Sequence, residues 1–195
     1  MNHALEHAVQ EANRLNQGVV VVFGLTDEYP EANLRHYTFM LEGMRETAQA
    51  LRKRDIRMVM RRGSPAAVAL ELGREASLLV CDCGYLRHQR QWRQTVAREA
   101  ACRVVQVESD LIVPVETASN KAEIGARTLR PKIHRRLPDY LKPLSPMAVG
   151  IPTGEFKLEG ISVDNPADLL QTLRIDRSVH PVSSRFRGGT PEAKR

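Results

Sequence analysis

Four short, nearly continuous apolar runs alternate with helical patterns, and this alternation constrains the fold more than any other feature of the sequence. The runs are VVVVFGL (19–25), IRMVM (56–60), SLLVCD (77–82) and RVVQVES (103–109). They lack the in-out alternation of a half-buried strand and match strands of a parallel sheet covered on both faces. Helical periodicity fills the gaps over 31–54, 65–75 and 86–101, with Ser64 placed to cap the second helix and Pro65 in its first turn. Strand and helix in alternation predict a Rossmann-like, doubly wound parallel α/β sheet.

The two ends of this unit depart from the pattern. The opening residues MNHALEHAVQEANRL carry an amphipathic helix over 3–15, yet a parallel crossover needs a strand before such a helix. The expectation is a sheet whose first strand is missing, from its middle if the strand order is 3-2-1-4-5. After Ser109 the alternation stops, and most of the prolines lie between 114 and 195. That region reads as a connecting segment with short helices at 133–141 and 166–173, not as a second core. The boundaries drawn are 1–113 for the α/β domain, 114–180 for the linker and 181–195 for the start of something further, where Thr190 and Pro191 open a helix.

Composition narrows the class. A chain of 195 residues with 42% hydrophobic and 27% charged residues can bury a sizeable core. The balance of 29 Lys+Arg against 23 Asp+Glu gives +6, compatible with a nucleic-acid partner without requiring one. No apolar run approaches the ~20 residues that cross a bilayer, and the first segment is no secretory signal, so a cytoplasmic chain without a membrane partner is expected. Three cysteines, two of them one residue apart, make no disulfide framework and suit a reducing compartment.

The stretch CDCGYLRHQRQWR (81–93) holds the densest chemistry. Cys81 and Cys83 share one strand face and could join Cys102 and His88 around a metal, but no CxxC or HxxxH spacing supports this, and ordinary thiols at a strand end are expected. FGLTDEYP has one glycine and MRRGSP only Gly63, so a nicotinamide or P-loop nucleotide site is not expected. His3, His7, His36, His88, His134 and His180 are scattered as surface or capping residues, and no Ser-His-Asp set can be placed. Arg87, Arg90 and Arg93 line one helix shoulder, beside a buried stripe of Trp92, Val96 and Ala100. The shoulder is either a solvated face paired with acids or an anionic or interdomain contact. A second basic run, 127–136, with Arg130, Lys132, His134, Arg135 and Arg136, contains no aromatic residue. It suits a domain interface or phosphate-steering surface better than a base-stacking platform.

Four blocks carry a family resemblance: YPEANLRHYTFMLEGM (29–44), CDCGYLRHQRQWR (81–93), ETASNKAEIGARTLRPKI (116–133) and DRSVHPVSSRFRGGTPEA (176–193). In this order and spacing they resemble the amino-terminal region of class II DNA photolyases. The resemblance implies light-dependent repair of cyclobutane pyrimidine dimers in DNA, in which reduced FAD donates an electron, the ring splits and the electron returns. It also implies a strand before the first helix and, beyond FRGGTPEA, a large helical domain holding FAD, the dimer pocket and the electron-transfer tryptophans. This chain has a single tryptophan, Trp92. It is therefore expected to be a fragment: antenna-type domain over 1–113, interdomain linker over 114–180 and the truncated start of the FAD-binding catalytic domain over 181–195. Alone it should repair no dimers, bind no FAD and hold DNA only weakly and non-specifically. The alternatives are a stand-alone nucleotide-binding or stress-type α/β protein, which needs a complete strand set within this chain, and a non-functional photolyase remnant.

In open parallel sheets ligands sit outside the carboxyl ends of the strands, and the loops at 24–29 and 81–87 leave such ends. In photolyases this region can house a light-harvesting deazaflavin or folate. On that resemblance Asp27 and Asp82 could accept hydrogen bonds from a heterocycle, and Tyr85 could pack on its face. Alternatively, Asp82 and Gly84 simply cap and turn into the next helix.

Overall fold

The computed structural model describes residues 2–182 and 185–195; Ser183 and Ser184, inside the last of the four blocks, lie outside the described residues. Helix α1 (His3–Leu15) starts at Asn2, whose side chain accepts from the Leu5 N–H, and ends on Asn16 in the left-handed region (φ 53°). Then follow β1 (Val20–Leu25), α2 (Leu34–Arg52), β2 (Arg57–Arg62), α3 (Pro65–Leu72), β3 (Leu78–Asp82), α4 (Arg87–Glu99) and β4 (Arg103–Val107). Ser64 caps α3 by accepting from the Ala67 N–H, with Pro65 at the first helical position, as the sequence predicts. Short helices α5 (Val115–Ala118), α7 (Pro166–Thr172) and α8 (Thr190–Ala193) and the longer α6 (Ala126–Tyr140) complete the chain. Helix α6 begins before the expected residue 133 and accommodates Pro131 and Pro138 inside it. A proline removes one backbone hydrogen bond, and on this exposed helix water can solvate the freed carbonyl.

The strands pair parallel, β1 with β2 from Val20↔Arg57 to Leu25↔Arg62, and β3 with β4 from Leu78↔Arg103 to Asp82↔Val107. Among the described residues no ladder joins β1 to β3, so the sheet is two separate pairs. Helix α1 packs on β3 and β4, and α3 packs on β1 and α4. Alternation along β1 shows that both faces are covered. Leu25 points into a cluster with Tyr37 and Leu41 of α2. Its neighbour Gly24 faces the other way, where a Cβ would lie 2.6 Å from the Pro65 Cα of α3. This is the doubly wound α/β fold, interrupted at the middle of its sheet.

The proline-rich segment returns to this unit and clasps it. The fully buried Thr153 donates through Oγ1 to the Val19 carbonyl (2.7 Å) and accepts from the Arg57 N–H (2.8 Å), while its own N–H donates to the Asp55 carbonyl (2.8 Å). Further on, the Ile161 N–H donates to the Met60 carbonyl (2.7 Å), covering the outer edge of β2. Val163, Leu169, Leu170 and Leu173 then enter the main core with Leu25, Tyr37, Leu41 and Met60. At the other side Glu6 of α1 is buried against Arg54, accepting two hydrogen bonds (2.7 and 2.9 Å) and a third from the Met147 N–H (2.8 Å). Burial pushes the Glu6 carboxyl up, but Arg54 and the Met147 N–H together outweigh it and hold it below its ordinary value.

Candidate functional site

The gap between the two strand pairs is a cavity of about 790 Å³. Val22–Leu25 of β1 and Leu79–Asp82 of β3 form its sides, with Tyr37 and Met40 of α2, Ala66 and Ala69 of α3, and Trp92 and Val96 of α4 around them. Its polar groups gather at the carboxyl ends of the strands, where Asn2, Asp82, Gln89, Arg93 and Asp110 form the rim. Asn2 ties this rim together: its Oδ1 caps α1 and its Nδ2 donates to Asp82 Oδ1 (2.9 Å). The Ala4 N–H donates to Ser109 Oγ (3.1 Å), so the start of α1 is pinned to the ends of β3 and β4.

Of the three residues singled out in the sequence, only Asp82 borders the cavity. Asp27 pairs with Arg62 (3.0 Å) and accepts from the Arg174 N–H (3.0 Å), and Arg62 also donates to the Thr172 carbonyl, so Asp27 joins the loop after β1 to the end of β2 and the exit of α7. Tyr85 donates its hydroxyl to Glu108. Burial and that carboxylate raise the Tyr85 phenol above its ordinary range. Burial also pushes Glu108 up, but the Tyr85 hydroxyl and the N–H groups of Asp110 and Leu111 outweigh this and leave its carboxyl lowered.

The arginine shoulder divides. Arg87 and Arg90 are exposed, whereas Arg93 donates to Gln106 Oε1 (2.8 Å) and to the Gly84 carbonyl, bracing the loop between β3 and α4. Gln106 in turn donates to Cys83 Sγ (3.1 Å), and burial raises the Cys81 thiol. Among the described residues no group of three or more His, Cys, Asp or Glu side chains is placed to hold a metal ion. The second basic run lies on α6 with Arg127, Arg130, Arg135 and Arg136 exposed and Lys132 engaged by Glu123.

One cluster at the cavity was not anticipated. His88 lies edge-on between Tyr29 (ring centroids 4.7 Å apart) and Trp92 (5.0 Å), and its Nε2 is buried without a hydrogen-bond partner. The sequence reading took His88 as a surface or capping residue, whereas it is half-buried here. Its spacing of four from Trp92 signals a shared helix face, but nothing local signals that Tyr29 from the loop after β1 would join them.

The sequence pattern of the DNA photolyase family matches residues 1–149, from α1 through α6. The chain belongs to the DNA photolyase family. It is 40% identical over 193 residues to the deoxyribodipyrimidine photo-lyase of Methanothermobacter thermautotrophicus, covering 98% of this chain and 42% of that protein. The protein of that name from Arabidopsis thaliana is 37% identical over 144 residues (72% of this chain, 29% of the relative), and that from Potorous tridactylus 34% over 186 residues (93% and 34%). This photolyase-family chain thus spans less than half the length of each of these relatives. The match to the Methanothermobacter protein takes in nearly the whole chain, so it reaches the clasp that lies beyond residue 149. Among the described residues no helix is long and apolar enough to cross a membrane.

Proposed function

We propose that this chain is the α/β part of a photolyase whose complete form splits cyclobutane pyrimidine dimers in DNA under light. The observation that carries the reading is the 40% identity across 98% of the chain to a deoxyribodipyrimidine photo-lyase. In this proposal residues 1–113 form the antenna-type domain, 114–180 the interdomain link that also clasps it, and 181–195 the beginning of the FAD-binding catalytic domain. FAD, when bound in that further domain, supplies the electron that opens the dimer ring; this chain contributes shape and support. DNA is engaged by the complete protein, in a reducing cytoplasm consistent with the free thiols of Cys81, Cys83 and Cys102. A stand-alone binding protein would need a continuous sheet, and β1 and β3 are unjoined.

The loops after β1 and β3 are proposed to hold a planar light-harvesting ring, a deazaflavin or folate, at the carboxyl ends of the strands. Three features support a ring there: a cavity within the ~300–1,000 Å³ range of ligand pockets, the Tyr29 and Trp92 rings on its wall, and the unpartnered His88 Nε2 beside them. Asp82 on the rim would accept from the heterocycle, and the exposed Tyr85 ring would cover it. Asp27 would keep the loop after β1 in place through Arg62. The residues' task is to fix a ring and exclude water, with no proton transfer required.

The test is a chimera in which this chain replaces the aligned part of the Methanothermobacter protein. Light should remove dimers from DNA with the chimera and not with this chain alone, and neither should act in the dark. A chimera that folds and retains FAD but leaves dimers intact under light refutes the reading.

A further inference from the structure

We infer that Asp27 and Arg62 are positioning residues through which the segment 172–176 sets the place of Tyr29, and with it the aromatic wall of the proposed ring site. None of residues 26–33, the loop between β1 and α2, is fully buried, so its place depends on polar fastenings. The segment 172–176 supplies one at each end of the loop. At the first end Asp27 accepts from the Arg174 N–H (3.0 Å) and from Arg62 (3.0 Å), and Arg62 also donates to the Thr172 carbonyl (2.5 Å). At the second end the Leu34 N–H donates to the Asp176 carbonyl (2.7 Å), where Asn33 and Asp176 form a parallel bridge. Between the two, the hydroxyl of the buried Tyr37 donates to the Thr26 carbonyl (2.7 Å) and accepts from the Tyr29 N–H (3.4 Å).

Tyr29 is what this loop presents to the aromatic cluster. Its ring lies edge-on to His88 (centroids 4.7 Å apart) and tilted to Trp92 (6.2 Å), and both Tyr29 and Trp92 line the cavity. Such ring contacts are short-ranged and directional, so a small displacement of the loop ends them. The groups that prevent this displacement come from far along the chain, 147 positions separating Asp27 from Arg174. They belong to the proposed interdomain link. The wall's role in holding a ring rests on the ring reading, whereas the fastening itself does not. Coupling between two sites is reciprocal, so a ring held against Tyr29 would also steady the link through these same bonds.

The test uses the full chain with no chromophore added, so it fails separately from the ring reading, which fails when a complete photolyase with this fastening intact holds no ring at the rim. Three variants are compared with the parent by amide exchange and by emission of Trp92, the single tryptophan. Asp27→Ala removes the first fastening. Arg177 donates to the Leu170 and Leu173 carbonyls (2.7 and 3.3 Å), so Arg177→Gln loosens the segment from outside the loop. Asp27→Asn keeps an acceptor for the Arg174 N–H. In Asp27→Ala and in Arg177→Gln, Trp92 emission should move to longer wavelength as water reaches the indole. Exchange at Tyr29 and Ala32 should accelerate at least about tenfold, while the amides of the β1–β2 ladder stay unchanged. Asp27→Asn should remain within about threefold of the parent. Unchanged emission in Asp27→Ala or in Arg177→Gln, acceleration spread equally into the ladder, or Asp27→Asn as loose as Asp27→Ala would each overturn the inference.

Discussion

Replacing Thr153 by valine tests whether the returning segment truly fastens the sheet. The side chain is fully buried, with its hydroxyl donating to the Val19 carbonyl (2.7 Å) and accepting from the Arg57 N–H (2.8 Å). Valine keeps the shape and removes both bonds. Val19 and Ile56 beside it are buried, so water cannot reach the abandoned groups without disturbing the core. Leaving a buried donor or acceptor unsatisfied costs about 1–3 kcal/mol, so the two together predict a loss of roughly 2–6 kcal/mol. Thr153→Ser keeps the hydroxyl and removes only the methyl that packs on Gly18, a loss of about 1 kcal/mol. Urea unfolding of the three proteins should rank threonine above serine above valine with an unchanged slope. Amide exchange at Arg57 should accelerate most in the valine variant. A valine variant as stable as the parent, or more stable than the serine variant, would refute the reasoning.

Three further outcomes are expected. Glu6→Gln should destabilise by about 1–3 kcal/mol, since Arg54 loses a carboxylate partner at a partly exposed site. The Glu6 carboxyl is lowered in the folded state, so its contribution is present above the ordinary value of 4.5 and disappears as pH falls through the folded value; unfolding midpoints against pH should lose that part of their acid limb in the glutamine variant. Tyr85→Ala, in a complete photolyase carrying this chain, should lower antenna-chromophore occupancy and repair in dim light while leaving repair under saturating light nearly intact; an equal fall in both would assign Tyr85 to folding or catalysis. The chain alone should bind DNA weakly, with affinity declining steeply in salt and no preference for dimer-containing strands, measured by fluorescence anisotropy on damaged and undamaged duplexes.

The α/β elements were legible because their signals are local. The apolar runs locate each strand within about two residues, and Ser64–Pro65 and the 3–15 periodicity mark helix starts without reference to anything distant. The interruption of the sheet was also legible, from the rule that a parallel crossover needs a strand on each side. The clasp was not. Thr153, Val163 and Leu173 sit in an irregular, proline-rich stretch whose local pattern contains no period, and their burial is decided by surfaces over a hundred residues upstream. The same holds for the site. The carboxyl ends of β1 and β3 follow from topology, whereas the commitment of Asp27 to Arg62 and the meeting of Tyr29 with His88 depend on tertiary approach.

The distance between β2 and its clasp matters during synthesis. Arg57 and Thr153 are 96 positions apart, and a ribosome adding about 5–20 residues per second leaves roughly 5–20 s between them. Throughout that interval the nascent chain carries β2 with an uncovered outer edge, next to the unjoined inner edge of β1. Both are templates for pairing with a neighbouring polypeptide. Folding of this unit is consequently completed late and from its far end, and its yield in cells depends on what shields those edges until Thr153 arrives.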